Sequence, residues 1–532
     1  MIEIKQLSYQ YPQANFNVLD NVKLEIPAGS LTLVTGASGS GKSTLLRCIN
    51  GLVPHFTGGK ISGEIRVFGA DPVRQGVAKM ADTVGFVFQE PEAQFVFDAV
   101  EDEIVFYLEN MGIPREKMDR RINQVLQEIK ISALRHKKIK ALSGGEQQKV
   151  AIASALVTQP KVLILDEPTS QLDPSSAEEV LTFILELKSR LNLTVLISEH
   201  RLERLLPYVD LVINLTSDRK ILFGEPQQVL PSMEQVPPII EISQNLGITP
   251  LPLTPASFPN LPVPESSTTI KLNKDIQKDN QDHPLVINQL STKIGENQIL
   301  ENINLDISVG EILVLMGPNG SGKTTLLRSI LGLIPSTGEL FLNKNNITNY
   351  HFSEVIQNIA YLPQNPNDLL FAESILDELR TTLKNHRLTL NDERISTFLD
   401  HFGLAEKQSH YPRDLSVGER QRTAIAAITV HNPNIILLDE PTRGLDYYAK
   451  RSLKDLFQRW RDQNKAILLV THDVEFAAQL ADRVAILEKG HLIFTGTPET
   501  AFSEISGYQT QTAQLFPGSG WITPQDVLYP AQ

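Results

Sequence analysis

The string GASGSGKST at 36–44 returns as GPNGSGKTT at 317–325, and KVLILDEPTSQLD at 161–173 returns as NIILLDEPTRGLD at 434–446. Two separate strings repeated in one order constrain the chain more than any other feature, because whatever the first half folds into the second must fold into again. From Lys42 to Asp166 is 124 positions (166 − 42) and from Lys323 to Asp439 is 116 (439 − 323), so the halves differ by modest loop changes. A third pair, LSGGEQQKVAIASAL at 142–156 and LSVGERQRTAIAAI at 415–428, keeps the same order. The tails echo as well: LPLTPASF at 251–258 resembles GWITPQDV at 520–527, which places a small appendage at the end of each half. The expected organisation is a domain over 1–260, a linker over 261–283 and a second domain over 284–532. The linker stretch is polar, carries prolines at its start and has no helical period.

LTLVTG and EILVLMG are short apolar runs that end in a glycine loop and lead into the amphipathic segments TLLRCINGL and TLLRSILGL, a strand–loop–helix unit. VLILD, IILLD, LTVLIS and AILLV are further strand-length apolar runs whose polar residues begin at the C-terminal end, where ligands sit in parallel α/β sheets. The stretches 100–141 and 372–412 have amphipathic spacing and few strand signals. The fold class is therefore α/β, two tandem domains each with a mostly parallel sheet core and an inserted helical subdomain, and the loops GASGSGKST and GPNGSGKTT between strand and helix mark both as P-loop NTPase domains.

The pattern G-x-x-x-x-G-K-[S/T] is met by Gly36, Ala37, Ser38, Gly39, Ser40, Gly41, Lys42 and Ser43, and again by Gly317, Pro318, Asn319, Gly320, Ser321, Gly322, Lys323 and Thr324. Glycines let successive backbone N–H groups curl around phosphate oxygens, the lysines reach the outer phosphates, and the Ser43 and Thr324 hydroxyls are placed to ligate Mg²⁺. Asp166 and Asp439 end apolar strands and suit the Mg²⁺ shell, while Glu167 and Glu440, next in sequence, suit polarisation of a water. His200 and His472 follow another strand in each half, where a ring can touch a terminal phosphate or hold the attacking water. Gln89 and Gln364 recur after apolar runs. Ser143 with Glu146, and Ser416 with Glu419, have capping-box spacing at a helix start that offers bare N–H groups to an anion.

Composition excludes several classes. The 532-residue chain is 41% apolar, ample for buried cores, and its 62 acidic against 49 basic residues leave a net charge of −13, which disfavours nucleic acid as a partner. Its one cysteine, Cys48, permits neither an internal disulfide nor a cysteine metal cluster, and fits a reducing cytosol. No stretch approaches the length of an apolar span and the start lacks the pattern of a signal peptide, so a membrane role is expected to run through a partner.

Taken together, these motifs resemble two ATP-binding cassette domains in tandem, over nearly the whole chain outside the linker. The resemblance implies that LSGGE is the family's signature motif and that its anion is the γ-phosphate of ATP. It implies a head-to-tail pair within one chain. One site would combine Lys42, Asp166, Glu167 and His200 with Ser416, Val417, Gly418 and Glu419. The other would combine Lys323, Asp439, Glu440 and His472 with Ser143, Gly144, Gly145 and Glu146. It adds Thr44 and Thr325 to the ATP contacts, Gln89 and Gln364 to the ATP and Mg²⁺ contacts, and Asp173 and Asp446 to the loops that cross the interface. Tyr11 matches the aromatic on which the family stacks adenine. The second half has Ile294 there, and Val417 stands where the family has glycine.

Residues 89–118, with a Gln-x-Pro-Glu loop and an acidic helix start at Glu101, Asp102 and Glu103, and SEHRLE at 198–203 are similar to the energy-coupling factor (ECF) branch. That branch implies an importer ATPase at the cytoplasmic face of the membrane. Its partners would be a transmembrane coupling protein and small substrate-capture proteins, with a vitamin or transition metal as cargo. The acids flanking the Gln89 loop are then expected to border a groove for the partner. The alternatives are the tandem ATPase of a sugar or peptide importer, and a ribosome-acting cassette protein.

Overall fold

The computed structural model describes residues 1–12, 14–170, 172–261, 282–348, 350–389 and 391–528. The chain forms two compact units, Met1–Thr254 and Pro255–Gln532. Most of the expected linker, 262–281, lies outside the described residues.

In the first unit a six-stranded sheet runs in the order Val84–Val87, Val162–Asp166, Thr194–Ser198, Leu31–Gly36, Leu211–Leu215, Ile221–Gly224. Every neighbouring pair is parallel except the last. Parallel pairing aligns the carboxyl ends. Asp166 pairs with Ser198, and Val34 pairs with Ser198 from the other side, so the phosphate loop and both acidic strand ends open on one edge. A separate antiparallel sheet, Leu19–Ile26, Ile2–Gln10, Lys60–Val67, covers one face.

The second unit repeats the plan: Ile359–Leu362, Ile435–Asp439, Ala466–Val470, Ile312–Met316, Arg483–Glu488, His491–Gly496, beside an antiparallel sheet of four strands. Its central strands show why the sequence reads as continuous apolar runs. Leu313, Leu315, Leu437 and Leu468 face the antiparallel sheet, while Val314, Ile436, Leu438 and Leu469 face a core that includes Leu379, Leu399 and Ile425 of the helical subdomain. Both faces are buried, so no polar alternation survives. At about 25 cal/mol per Å² of apolar area, such two-sided burial is the main term holding each unit together.

The expected helical inserts are present, as Val100–Asn110 and Arg115–Glu128 in one unit and Ile375–Asn385 and Asp392–Asp400 in the other, each leading to a signature helix, Gly144–Leu156 or Val417–Thr429. Pro255–Ser257 is a single 3-10 turn and Pro524–Leu528 a short α-helix; both fall in the second unit, where Phe258 packs edge-on against Phe516, which packs against Trp521. Among the described residues no helix is long and apolar enough to cross a membrane.

Candidate active site

Each phosphate loop joins the central strand to a helix, Lys42–Ile49 or Lys323–Ile330, through a left-handed glycine, Gly41 (φ 104°) or Gly322 (φ 106°). A Cβ at Gly41 would lie 3.1 Å from Val18 Cγ1, and one at Gly322 would lie 2.7 Å from Leu300 Cδ2, so space as well as conformation requires glycine there. Gly39 and Gly320, also left-handed, face open space, leaving backbone N–H groups room to close on an anion. Lys42 Nζ donates to the Gly36 and Ala37 carbonyls at 2.8 and 3.0 Å. Lys323 Nζ does the same to Gly317 and Pro318, at the same distances. Ser38, Gly39, Pro318, Asn319 and Gly320 are exposed at the loop tips, whereas the Ser40 and Ser321 hydroxyls are buried without a hydrogen-bond partner among the described residues. Thr44, behind the loop, meets the Tyr11 hydroxyl at 3.0 Å, which sets Tyr11 beside the loop. Ile294, at the same point of the second unit, is 49% exposed at a hairpin end. Thr325 is half-buried one residue after Thr324.

At the neighbouring strand ends the first unit forms a bonded cluster. Ser198 Oγ donates to Asp166 Oδ1 at 2.7 Å and accepts the Glu167 N–H at 2.8 Å. Glu167 accepts from Gln89 Nε2 on one oxygen, at 2.6 Å, and meets His200 Nε2 with the other, at 2.7 Å. Burial alone pushes the Glu167 carboxyl up, but His200, Lys42 and Gln89 outweigh it and hold the group below its ordinary value. It therefore stays ionised and able to accept a proton from water. For Asp166 the balance falls the other way: burial raises it despite hydrogen bonds from Ser198 and Ser43.

In the second unit Thr324 Oγ1 donates to Asp439 Oδ2 at 2.7 Å, and burial pushes Asp439 up to about 6. Glu440 Oε2 lies 2.8 Å from His472 Nδ1, close but not aligned as a hydrogen bond, and the Glu440 N–H donates to the Val470 carbonyl. Gln364 is exposed, and among the described residues no hydrogen bond joins it to Glu440. Glu167 (φ 50°) and Glu440 (φ 53°) both lie in the left-handed region, a conformation that costs non-glycine residues on the order of 1 kcal/mol and is kept only where the surroundings enforce it.

Both sites offer only oxygen donors, a hydroxyl beside a carboxylate, which suits Mg²⁺. Among the described residues no cluster of three or more His, Cys, Asp or Glu side chains forms a complete metal cage. A cation of this kind takes its remaining ligands from phosphate and water. Ser43 with Asp166, and Thr324 with Asp439, are the residues that fit it.

The signature helices start with the expected capping boxes. Ser143 N–H donates to Glu146 Oε2 at 2.9 Å and Glu146 N–H to Ser143 Oγ at 3.3 Å. Ser416 and Glu419 repeat this at 3.0 and 3.4 Å, with Lys407 added on Glu419 at 2.5 Å. The structure places neither serine in the bonded cluster of its own unit; both are exposed. A Cβ at Gly144 would lie 3.1 Å from Leu172 Cδ2, and one at Gly145 3.6 Å from the Ser176 side chain. Gly418 has a similar margin, 3.6 Å from Leu445. Val417 points its Cγ1 to within 3.5 Å of where a Cβ on Gly444 would stand, so the change from glycine is accommodated by a glycine opposite. Asp173 and Asp446 cap the helices Pro174–Leu191 and Tyr447–Asp462.

The expectation that Glu101, Asp102 and Glu103 are surface charges bordering a groove needs correction. Glu103 is fully buried, its Oε2 accepting the Val96 and Phe97 N–H groups at 2.8 and 2.9 Å. Glu101 is held by Arg135 and His136. Only Asp102 of the three is exposed. Ser198 and Glu199 lie in the SEHRLE string and Thr169 in the DEPTSQLD repeat, but sequence reasoning assigned none of the three a place in the site.

Two phosphate loops, each with a hydroxyl–carboxylate pair and a strand-end glutamate beside a histidine, define a tandem nucleoside triphosphatase. Comparison with known proteins narrows the class. A profile of the ABC transporter family matches residues 19–170 and 300–443. A candidate ABC transporter ATP-binding protein of Streptomyces coelicolor is 35% identical over 99% of both chains. A candidate HMP/thiamine import ATP-binding protein of Bacillus subtilis, YkoD, is 32% identical over 97% of this chain and 94% of its own. A solved structure, cbiO1 of Clostridium perfringens, part of the transporter complex cbiONQ, is 33% identical and spans 43% of this chain and 90% of its own, with a TM-score of 0.39. The chain belongs to the ABC transporter family as an ATP-binding, ATP-hydrolysing subunit.

Proposed function

We propose that the chain is the energy-coupling ATPase of an importer of the ECF type, bound peripherally at the cytoplasmic face of the membrane and driving uptake of a vitamin or transition metal. One repeated feature carries this reading. In each unit a buried glutamate at the start of the helical subdomain pins a loop that leaves large apolar side chains in solvent. Glu103 does so for Val96 and Phe97, which are 62% and 42% exposed. Glu378 Oε2 accepts the Phe371 and Ala372 N–H groups at 3.0 and 2.8 Å, and Phe371 is 74% exposed. Apolar tips held rigidly in water suit a permanent partner, here a transmembrane coupling protein that also carries the substrate-capture proteins. The import function in the name of the Bacillus relative supports a small nutrient as cargo.

In this reading Mg²⁺ and ATP engage both sites. Lys42 and Lys323 hold phosphate, Ser43, Gln89 and Asp166 with Thr324, Gln364 and Asp439 serve the cation, and Glu167 and Glu440 polarise water with His200 and His472. Domains 1–260 and 284–532, joined by 261–283, each carry one phosphate loop and one signature helix. The test is to purify the chain from membranes with its partners and identify the retained small molecule by mass spectrometry. Recovery with membrane subunits and a vitamin or metal is expected; co-sedimentation with ribosomes and no membrane subunit overturns the proposal.

A further inference from the structure

We propose that Glu199 is a positioning residue for ATP hydrolysis in the first unit, its carboxylate setting where the His200 imidazole meets Glu167. Glu199 is 2% exposed. Its Oε2 accepts the Thr169 hydroxyl at 2.5 Å, and its Oε1 accepts the His200 N–H at 2.9 Å and the Arg201 N–H at 3.4 Å. Thr169, 4% exposed, stands two residues after Glu167. The contacts close a circuit from Glu167 through Thr169 and Glu199 to His200 and, by the 2.7 Å contact at Nε2, back to Glu167. The ends of two adjacent strands are thereby tied twice, once by Ser198 and once by Glu199.

A side chain that only filled this space would be apolar, since burying a carboxylate is unfavourable unless its oxygens are hydrogen-bonded. Here the acceptors are spent on the backbone that carries His200 and on the turn that follows Glu167. The second unit lacks the device. Thr471 occupies the position of Glu199, and its hydroxyl accepts the Asp473 N–H at 3.1 Å. There the histidine meets its glutamate through Nδ1 instead of Nε2. The two units thus present different edges of the ring, and the brace is present where Nε2 is engaged.

The inference rests on Glu167 as the water-polarising group, and its test is separable from the test of that role. Glu199→Gln keeps an acceptor for the His200 N–H and turns an amide toward the Thr169 oxygen, which can accept. Glu199→Thr writes in the residue of the second unit, and Glu199→Asp keeps the charge but shortens the reach. In the purified full chain, kcat and KM for ATP are measured together with the ¹⁵N resonances of the His200 ring. Displacements of about 1 Å in an active site lower rates by up to ~10². Glu199→Thr and Glu199→Asp are expected to lower kcat by at least about half, and by about tenfold where the two sites work together, with KM within about twofold and the His200 resonance shifted. Glu199→Gln is expected to keep both near parental. Parental kcat in a folded Thr or Asp variant overturns the proposal, as does loss of kcat with an unmoved His200 resonance, or a Gln variant as impaired as the other two. Should Glu167→Gln leave hydrolysis intact, the role of Glu167 itself fails, whatever the Glu199 variants do.

Discussion

Glu440 meets the Nδ1 edge of His472 at 2.8 Å, whereas Glu167 meets the Nε2 edge of His200 at 2.7 Å. The first carboxylate is also held by Gln89, and the second is not joined to Gln364 among the described residues. Both glutamates nevertheless share the left-handed backbone that turns the side chain out of the strand. The sites therefore have the same parts in different resting arrangements.

If both sites hydrolyse ATP, Glu167→Gln and Glu440→Gln should each lower steady-state turnover, since losing a water-polarising group removes about 10²–10⁴ in rate at its own site. Phosphate release by the two purified single variants checks this. Full turnover in Glu440→Gln beside an inactive Glu167→Gln would make the second site regulatory.

Tyr11 stands against the phosphate loop through Thr44 and packs edge-on against Tyr9, at 4.9 Å between ring centroids, so its ring is held in place before ATP arrives. Stacking of this kind contributes roughly 1–3 kcal/mol in nucleic-acid systems, about tenfold in affinity per 1.4 kcal/mol. Titration with a fluorescent ATP analogue should show Tyr11→Ala binding about tenfold more weakly at one of two sites. Unchanged binding at both would remove the stacking role.

Much of this site is legible in the sequence because its parts are local. The loop Gly36–Ser43, the strand-end pair Asp166–Glu167 and the box Ser143–Glu146 each need only a few consecutive residues, and the duplication doubles the signal. What escaped depends on chain segments far apart in sequence. Ser198 and Glu199 stand in the SEHRLE string, but they gain a place in the site only when parallel pairing sets Asp166 against Ser198. Glu103 reads as one of three acids in a solvated first helical turn, and only the folded loop at Val96–Phe97 supplies the N–H groups that draw it inside. The engagement of Gln89 but not Gln364 has no counterpart in their local sequences.

Because Glu103 and Glu378 accept two amides each, replacing both by alanine removes four hydrogen bonds, a loss of about 1 kcal/mol per bond. Hydrogen exchange at Val96, Phe97, Phe371 and Ala372 should accelerate, and recovery of the chain with its membrane partner should fall while ATP hydrolysis by the free chain persists. Slow exchange in the alanine variants would show that the glutamates do not hold the loops.

His431 stacks on His386 with ring centroids 3.7 Å apart, and neither of its ring nitrogens has a hydrogen-bond partner among the described residues. Burial, helped by His386 and Lys465, lowers His431 to about 4. Since the folded value lies below the unfolded one, the stabilising effect is present in full above about pH 6.5 and is lost as pH falls toward 4. The loss should amount to about 1–2 kcal/mol, less than the full shift implies because the ring is only partly shielded. Denaturant midpoints between pH 7 and 4.5 should fall less steeply in His431→Thr, which carries the residue found at Thr158 in the first unit. Parallel curves for parent and variant would assign the acid sensitivity elsewhere.

The measurement that bears most directly on the two nucleotide sites is ATP hydrolysis by the purified chain, with Mg²⁺ and with excess chelator, beside the double variant Lys42→Ala, Lys323→Ala. Hydrolysis that requires Mg²⁺ and disappears in the correctly folded double variant is the expected result. Hydrolysis at the parental rate in that variant, or without the cation, would contradict the assignment of both phosphate loops.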